Sequence, residues 1–173
     1  AMYDTVLAAQ EAAAAATRPG ARFNDPHLAA VRVLSEGLLD LGLLSRDKDG
    51  SVDDVMEKRS YFRFYMHRTS HWLGMDVHDC GSYVEPSQAD QIATRVDPIS
   101  GQTVQERPSR ILQPGMVLTL EPGLYVRPAP DVDEKFWNIG IRIEDDAVVT
   151  DQGCELISRA VPVQASEIEN LMK

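Results

Sequence analysis

Three of the four histidines in this chain, His67, His71 and His78, lie within twelve residues of one another. Two carboxylates follow in unusual surroundings: Glu121 ends an apolar run and precedes Pro-Gly, and Glu144 lies in an Ile-Arg-Ile-Glu-Asp-Asp stretch. Imidazole and carboxylate are the groups that bind a hydrolytic metal and transfer its protons. The pattern therefore predicts a metal-dependent hydrolase, although spacing alone does not show which histidine is a ligand.

Each of these residues also has a simpler interpretation. A histidine pair four residues apart, such as His67 and His71, is more often an ordinary polar pair than a metal site. Glu121 could reach solvent at the end of its strand, because a lone carboxylate is costly to bury unless it is paired or bound to a metal. Glu144 could form an ion pair with Arg142. The third histidine and the two acids together favour the metal site.

Length, composition and charge limit the classes of protein. The chain has 173 residues, of which 43% are hydrophobic and 25% charged, as is typical of one folded domain. No apolar run approaches the roughly 20 residues that span a bilayer, and a net charge of −10 argues against nucleic-acid or anionic-membrane partners. Cys80 and Cys154 fit no redox or zinc motif, so we expect two buried, reduced thiols in a cytoplasmic protein.

The first third of the chain has the pattern of helices. An Ala-rich segment at residues 2–17 predicts one helix, which ends before Arg-Pro-Gly. A second helix should begin at a cap on Asn24 or Asp25, and Ser51 should cap a third that runs towards residue 58. The second helix is expected to bury an apolar face formed by Leu28, Val31, Leu34, Leu38 and Leu41.

The rest of the chain is mainly strand in pattern. Residues 82–114 read as a long surface excursion with a hairpin near 97–101, whereas residues 116–121 and 139–149 alternate with period two. We expect Asp145 and Asp146 to face solvent in a turn. A capping box at Ser166 and Glu169 predicts a C-terminal helix. Helices followed by strands, without a βαβ rhythm, predict an α+β domain.

Three phrases of the sequence closely resemble the Xaa-Pro aminopeptidases, which are proline-specific metallopeptidases with the pita-bread fold. The likeness is weakest at residues 83–108. It implies an incomplete pita-bread fold, in which helices pack on a curved, mainly antiparallel sheet. The phrases occur in the family's order: His67-Arg-Thr-Ser-His71-Trp-Leu-Gly-Met-Asp-Val-His78-Asp79, Leu112-Gln-Pro-Gly-Met-Val-Leu-Thr-Leu-Glu121-Pro-Gly-Leu-Tyr125 and Gly140-Ile-Arg142-Ile-Glu144-Asp-Asp146.

The resemblance implies two divalent metals per complete site, usually manganese. It makes His71 and Glu121 ligands of one metal and Glu144 a bridge between both. His67 and His78 would line the pocket for the proline ring, and His78 would help to hold the tetrahedral intermediate. One imidazole with several carboxylates also favours manganese or cobalt over zinc sites rich in nitrogen and sulfur.

Two further roles follow from the same resemblance. Glu121 would also transfer a proton to the leaving nitrogen, and Arg142 would orient Glu144 and help to close the pocket, with Tyr125 nearby. The implied catalytic residues are thus His67, His78, Glu121 and Arg142.

The resemblance also implies a longer enzyme. The family's site uses five side-chain ligands, two of them aspartates on an upstream hairpin, and no Asp-rich strand precedes His67. We therefore expect residues 1–173 to be the C-terminal portion of the catalytic domain, without that hairpin or the N-terminal domain. Such a piece should be inactive alone, and should form homo-oligomers or associate with the rest of the enzyme.

The expected function is release of an N-terminal residue from peptides with proline at the second position. The alternatives are an Xaa-Pro dipeptidase, a methionine aminopeptidase of the same fold, and a non-catalytic module that binds peptides or proteins. The sequence motif around His71 favours the proline-specific branch of the family. The sequence does not decide between aminopeptidase and dipeptidase, nor does it give the preferred N-terminal residue, the metal or the oligomeric state.

Overall fold

The computed structural model describes residues 1–173 as an α+β arrangement, as the sequence predicts. Five helices and seven short strands follow one another along the chain, with the helices concentrated in the first third. The helices are α1 Met2–Ala16, α2 Asp25–Asp40, α3 Arg46–Asp49, α4 Val52–Lys58 and α5 Ala165–Leu171. The strands are β1 Ala93–Val96, β2 Thr103–Glu106, β3 Val117–Leu120, β4 Gly123–Tyr125, β5 Gly140–Arg142, β6 Asp145–Val149 and β7 Cys154–Leu156.

The two long helices, α1 and α2, pack against each other and supply ten of the 27 buried hydrophobic residues of the core. Val6 of α1 and Leu34 of α2 are completely buried, as is Leu38 one turn later. Leu28 is a correction to the predicted apolar face, because its side chain is 48% exposed. It lies on the wall of a cleft, where no other element covers it.

The ends of the shorter helices show one correct capping prediction and one wrong one. The Ser51 hydroxyl accepts a hydrogen bond from the Asp54 amide at the start of α4, as predicted. The C-terminal helix exists, but Gln164 precedes it and Ser166 lies within its first turn. The helix therefore begins before Ser166, so that side chain cannot act as the cap.

The strands after residue 116 form two antiparallel sheets, separated by a break in the strand pairing. In one sheet the strands lie in the order β3-β6-β7, and β4 pairs separately with β5. Residues 121–122 link β3 to β4, and residues 143–144 link β5 to β6, directly across from them. The single strand expected at 139–149 is therefore two strands, because the chain bends at Ile143 and Glu144 opposite Pro122.

The predicted hairpin in the polar excursion is formed by β1 and β2, with Val96 paired to Thr103. It forms a separate two-stranded sheet. Asp97 at its tip accepts hydrogen bonds from the Ile99 and Ser100 amides and forms an ion pair with Arg59. The excursion is thus attached to the helical part of the chain at its tip.

Asp145 and the cysteines differ from expectation. Asp145 and Asp146 both lie in β6, the first only 3% exposed and the second half-buried, so the prediction that they face solvent in a turn was wrong. The donors to Asp145 come from distant parts of the sequence, which a local pattern does not reveal. Cys80 is exposed and Cys154 is partly buried, so only the second resembles the predicted buried thiol. The longest helix, α2, has 16 residues, and no helix combines the length and hydropathy of a membrane span.

Candidate metal centre

An extended segment at residues 69–73 runs beside β3 and places His71 next to Glu121. The Glu121 amide donates to the Thr69 carbonyl at 2.8 Å, and the Thr119 amide donates to the His71 carbonyl at 3.0 Å. His71 therefore lies on a strand-like segment, as its β-branched and glycine-containing surroundings suggest, and not on a helix. Glu121 is 8% exposed, so the simpler interpretation of a solvated strand end is wrong.

Thr119 connects the two residues. Its hydroxyl accepts from the His71 amide at 3.1 Å and donates to Glu121 Oε1 at 3.0 Å. This arrangement requires the same strand face for Thr119 and Glu121, which the period-two pattern predicts. The sequence did not mark Thr119 as a site residue, although that shared face was an available signal.

The His71 ring presents a lone pair to the Glu121 carboxylate. Nδ1 lies 2.9 Å from the Trp72 carbonyl, which can only accept, so Nδ1 carries the proton of the neutral ring. Nε2 then faces Glu121 Oε1 at 3.2 Å with its lone pair. Two acceptors at this distance need a cation or a proton between them. A backbone carbonyl on the second ring nitrogen is also the usual support of a metal-binding histidine.

Glu144 completes a cluster of three. Ligand atoms from His71, Glu121 and Glu144 all lie within 4.8 Å of one another. Glu144 sits at the bend between β5 and β6, and its carboxylate accepts no hydrogen bond from the chain. Glu144 is exposed at the cleft edge, but partial desolvation, and then the negative charge of Glu121, raise its pKa. A carboxylate in this condition is suited to bind a cation.

Arg142 contacts Glu121 instead of the expected Glu144. Its Nη1 lies 3.3 Å from Glu121 Oε2, and its Nε donates to the Tyr125 hydroxyl at 2.8 Å. Arg142 ends β5 and Glu144 lies beyond it, and the ion pair of Arg142 is the one with Glu121. The Arg142–Glu144 ion pair considered from the sequence is therefore not formed.

His67 and His78 lie in the same cleft as this cluster. His67 Nδ1 donates to the Arg68 carbonyl, so its Nε2 accepts from the Tyr125 hydroxyl at 2.8 Å. Tyr125 in turn accepts from Arg142, which gives a directed chain of hydrogen bonds. The His78 ring centre lies 4.3 Å from that of His71.

The cleft has a volume of about 930 Å³ and is lined mostly by polar residues. Five of the six predicted site residues line it. The sixth, Glu144, lies beside the cleft, because its carboxylate is close to His71 and Glu121. Two lining residues that the sequence did not indicate are His27 and Thr69, which hydrogen-bond across 42 positions. No local pattern could have revealed that contact.

Residues 1–151 match metallopeptidase family M24. The chain belongs to this family. It is 39% identical over 171 residues to the Xaa-Pro aminopeptidase of Haemophilus influenzae and 41% identical to that of Escherichia coli. It is also 38% identical to the human Xaa-Pro dipeptidase. Each match covers 99% of the chain. The resemblance seen in the three sequence phrases is thereby confirmed.

The structural neighbours in the family are aminopeptidases P. Aminopeptidase PepP of Pseudomonas aeruginosa superimposes with a TM-score of 0.81 and 44% identity, over 99% of this chain and 34% of that one. Escherichia coli aminopeptidase P with the inhibitor Pro-Leu gives a TM-score of 0.79. These matches confirm the expected pita-bread fold class. The chain spans about a third of the length of the curated relatives it matches (34% and 33% in the first two).

Proposed function

We propose that this chain forms part of the active site of a metal-dependent aminopeptidase that releases the N-terminal residue preceding proline. The convergence of His71, Glu121 and Glu144 from three separate segments carries the proposal. Relatives named Xaa-Pro aminopeptidase support the specificity. The whole activity belongs to a longer enzyme, in which this chain supplies three of the metal ligands.

The donor set fits a divalent cation, as membership of a metallopeptidase family implies. One imidazole nitrogen and two carboxylates match the preferences of manganese better than those of sulfur-rich zinc sites. Accordingly, we propose Mn²⁺, two ions per complete site. A zinc-substituted form of a structural neighbour indicates that such a site accepts more than one metal. When bound, the metal would activate a water molecule and polarise the scissile carbonyl.

Glu121 is suited to move the proton that peptide hydrolysis requires. One carboxylate oxygen is fixed by the Thr119 hydroxyl and the other lies beside Arg142, so the group is held in one orientation within the cleft. From there it would accept a proton from the attacking water and deliver it to the proline nitrogen.

The histidines and Arg142 would bind and orient the peptide. The Arg142–Tyr125–His67 chain fixes the His67 ring, and the exposed His78 ring beside His71 offers a donor for the developing oxyanion. Their positions at the cleft wall support roles in the pocket for the proline ring.

The second candidate is an Xaa-Pro dipeptidase, because the human dipeptidase is nearly as similar as the bacterial aminopeptidases. Both reactions use the same cluster and differ in the length of peptide that the cleft admits. The choice therefore depends on the rest of the enzyme as well as on this chain.

The test uses the longer enzyme that contains this chain, supplied with Mn²⁺. Release of the first residue is measured from Xaa-Pro-Xaa, Xaa-Pro and Xaa-Ala-Xaa peptides. We expect cleavage of the first only, with Glu121→Gln as the inactive control. Cleavage of the dipeptide alone would select the dipeptidase. Activity that persists after complete metal removal would contradict the proposal.

Association and location stay predictions. We propose that the chain self-associates or binds the rest of the enzyme, since Met75, Val77 and Leu171 expose most of their apolar surface. Sedimentation of the chain at several concentrations tests this, and a monomer throughout would contradict it. The predicted cytoplasmic location is tested by cell fractionation.

A further inference from the structure

A chain of hydrogen bonds joins a buried tyrosine to a histidine in the cleft, and the proposed function assigns no role to it. The Tyr65 hydroxyl lies 2.6 Å from Thr69 Oγ1, which lies 2.9 Å from His27 Nδ1. Tyr65 and Thr69 are completely buried, whereas His27 lines the cleft. Thr69 also belongs to the segment that carries His71.

The burial of these groups fixes the direction of their protons. Thr69 Oγ1 is the hydrogen-bond partner of the Tyr65 hydroxyl, and burial raises the pKa of Tyr65, so that group keeps its proton. A buried O–H that donates to nothing is costly, and Tyr65 therefore donates to Thr69. Thr69 has one proton and donates it to its other partner, His27 Nδ1.

The imidazole of His27 is neutral under physiological conditions. Burial, and then the positive charge of Arg68, lower its pKa to about 3. A neutral ring carries one proton, and Nδ1 is already an acceptor, so the proton is on Nε2. Nε2 forms no hydrogen bond within the chain, since the single bond of this ring is the one to Thr69.

We propose that His27 is a substrate-binding residue whose Nε2–H donates to an oxygen atom of the bound peptide, with the Tyr65–Thr69 pair fixing this tautomer. The proposal rests on the proposed function, because it takes the occupant of the cleft to be a peptide. The acceptor is a main-chain carbonyl or a terminal carboxylate. Arg22 and Arg68 also line this part of the cleft and favour an oxygen that carries negative charge.

The position of His27 relative to the metal centre supports this role. The carbonyl of Thr69 accepts from the Glu121 amide, so the residue that orients His27 is hydrogen-bonded to a proposed metal ligand. A peptide oxygen that binds His27 would be held in register with the catalytic carboxylate. Because this hydrogen bond is made equally in the bound substrate and in the transition state, it should contribute to affinity and not to kcat.

The tautomer is tested directly, without any activity, by the ¹⁵N chemical shifts of the His27 ring in this chain at neutral pH. We expect the Nε2–H form in the wild type and in Thr69→Ser, and a mixture of tautomers in Thr69→Val. A wild-type ring protonated at Nδ1 would overturn the proposal.

Binding is tested by kinetics in the longer Mn²⁺-loaded enzyme. His27→Phe keeps a ring but loses the donor, so we expect KM to rise roughly fivefold with little change in kcat. His27→Gln, which carries an N–H near the position of Nε2, should recover most of the affinity. A purely structural role would change stability without this KM effect and without recovery by Gln.

The substrates for this experiment are an Xaa-Pro-Xaa peptide and its C-terminal amide. A rise in KM for both supports a bond to a main-chain carbonyl, and a rise for the free acid alone supports a bond to the carboxylate. A wild-type enzyme that cleaves neither overturns the proposed function. If the wild type is active and His27→Phe has the same KM, the proposed role of His27 is overturned and the proposed function stands. If His27→Phe does not fold, the Gln variant and the Thr69 pair decide the question.

Discussion

Glu144 and Asp145 are neighbours in sequence and opposites in environment. Asp145 Oδ2 accepts from Gln10 at 2.7 Å and from Arg159 at 2.6 and 2.9 Å, and its Oδ1 accepts from Ser158 at 2.7 Å. Glu144 accepts no hydrogen bond and faces the like charge of Glu121. Side chains of the protein supply all the hydrogen-bond donors of the Asp145 carboxylate. The Glu144 carboxylate has no donor from the chain and is therefore available to bind another group.

This difference separates structural acids from candidate ligands better than sequence spacing does. Asp145 ties α1 to the segment after β7, so its charge serves the fold. Glu144 lies at the bend between β5 and β6, where desolvation and the charge of Glu121 raise its pKa more than Arg142 lowers it. A group held in that state lowers stability, and such a cost is typical of functional sites, which agrees with the cation site we propose here.

The largest effect is expected from Asp145→Ala. It leaves the Arg159 guanidinium and the buried Gln10 amide without their acceptor, so the free energy of unfolding should fall by about 3 kcal/mol. Urea denaturation measures the loss. The control is Asp151→Ala on the exposed surface, which should change stability by less than about 0.5 kcal/mol. Equal effects for the two variants would contradict the structural role of Asp145.

Glu144→Gln should have a smaller effect of opposite sign. Its carboxyl has a raised pKa in the folded chain, so the folded state is penalised as pH rises above the ordinary value of 4.5. Without metal, the variant should be more stable than the wild type near neutral pH. The gain should be about 0.5 kcal/mol after allowance for solvent screening, and should vanish below pH 4.5. Thermal denaturation in EDTA checks this, and a loss of stability at neutral pH would contradict it.

Asp97 is a third carboxylate to compare, and its protonation should have the smallest effect on stability. Hydrogen bonds from the Ser100 amide and hydroxyl, with further help from Arg59, lower the pKa of Asp97 to about 2. Its stabilisation of the hairpin is present above pH 3.8 and should be lost as pH falls through about 2. The Ser100 amide resonance should move over that range. In Asp97→Asn it should not, and a wild-type midpoint near 3.8 would contradict the account.

Local sequence pattern predicted the elements that depend on local interactions. The Ala-rich helix α1, the Ser51 cap of α4 and the β1–β2 hairpin are set by propensity, capping and turn chemistry within a few residues. Period two also placed Thr119 and Glu121 on one strand face. The prediction that His71, Glu121 and Glu144 form one cluster came from the family resemblance. Spacing alone was also compatible with a Glu121 that reaches solvent and a Glu144 that pairs with Arg142.

What the sequence did not predict depends on contacts between distant residues. The donors of Asp145 lie 13 to 135 positions away, and His27 meets Thr69 across 42 positions. The strand breaks at Ile143 and Glu144 because the chain turns there, opposite Pro122. No residue within 139–149 indicates this break. Tertiary contacts of this kind override a continuous alternating pattern.

Titration of the 173-residue chain with Mn²⁺, followed by the EPR signal of the free ion, tests the central claim most directly. Three ligands give an incomplete site, so the account predicts weak binding of manganese and no pair of tight sites. That binding should disappear in Glu144→Gln and persist in Asp151→Asn. Two tight sites in the wild type, or equal binding by wild type and Glu144→Gln, would contradict it.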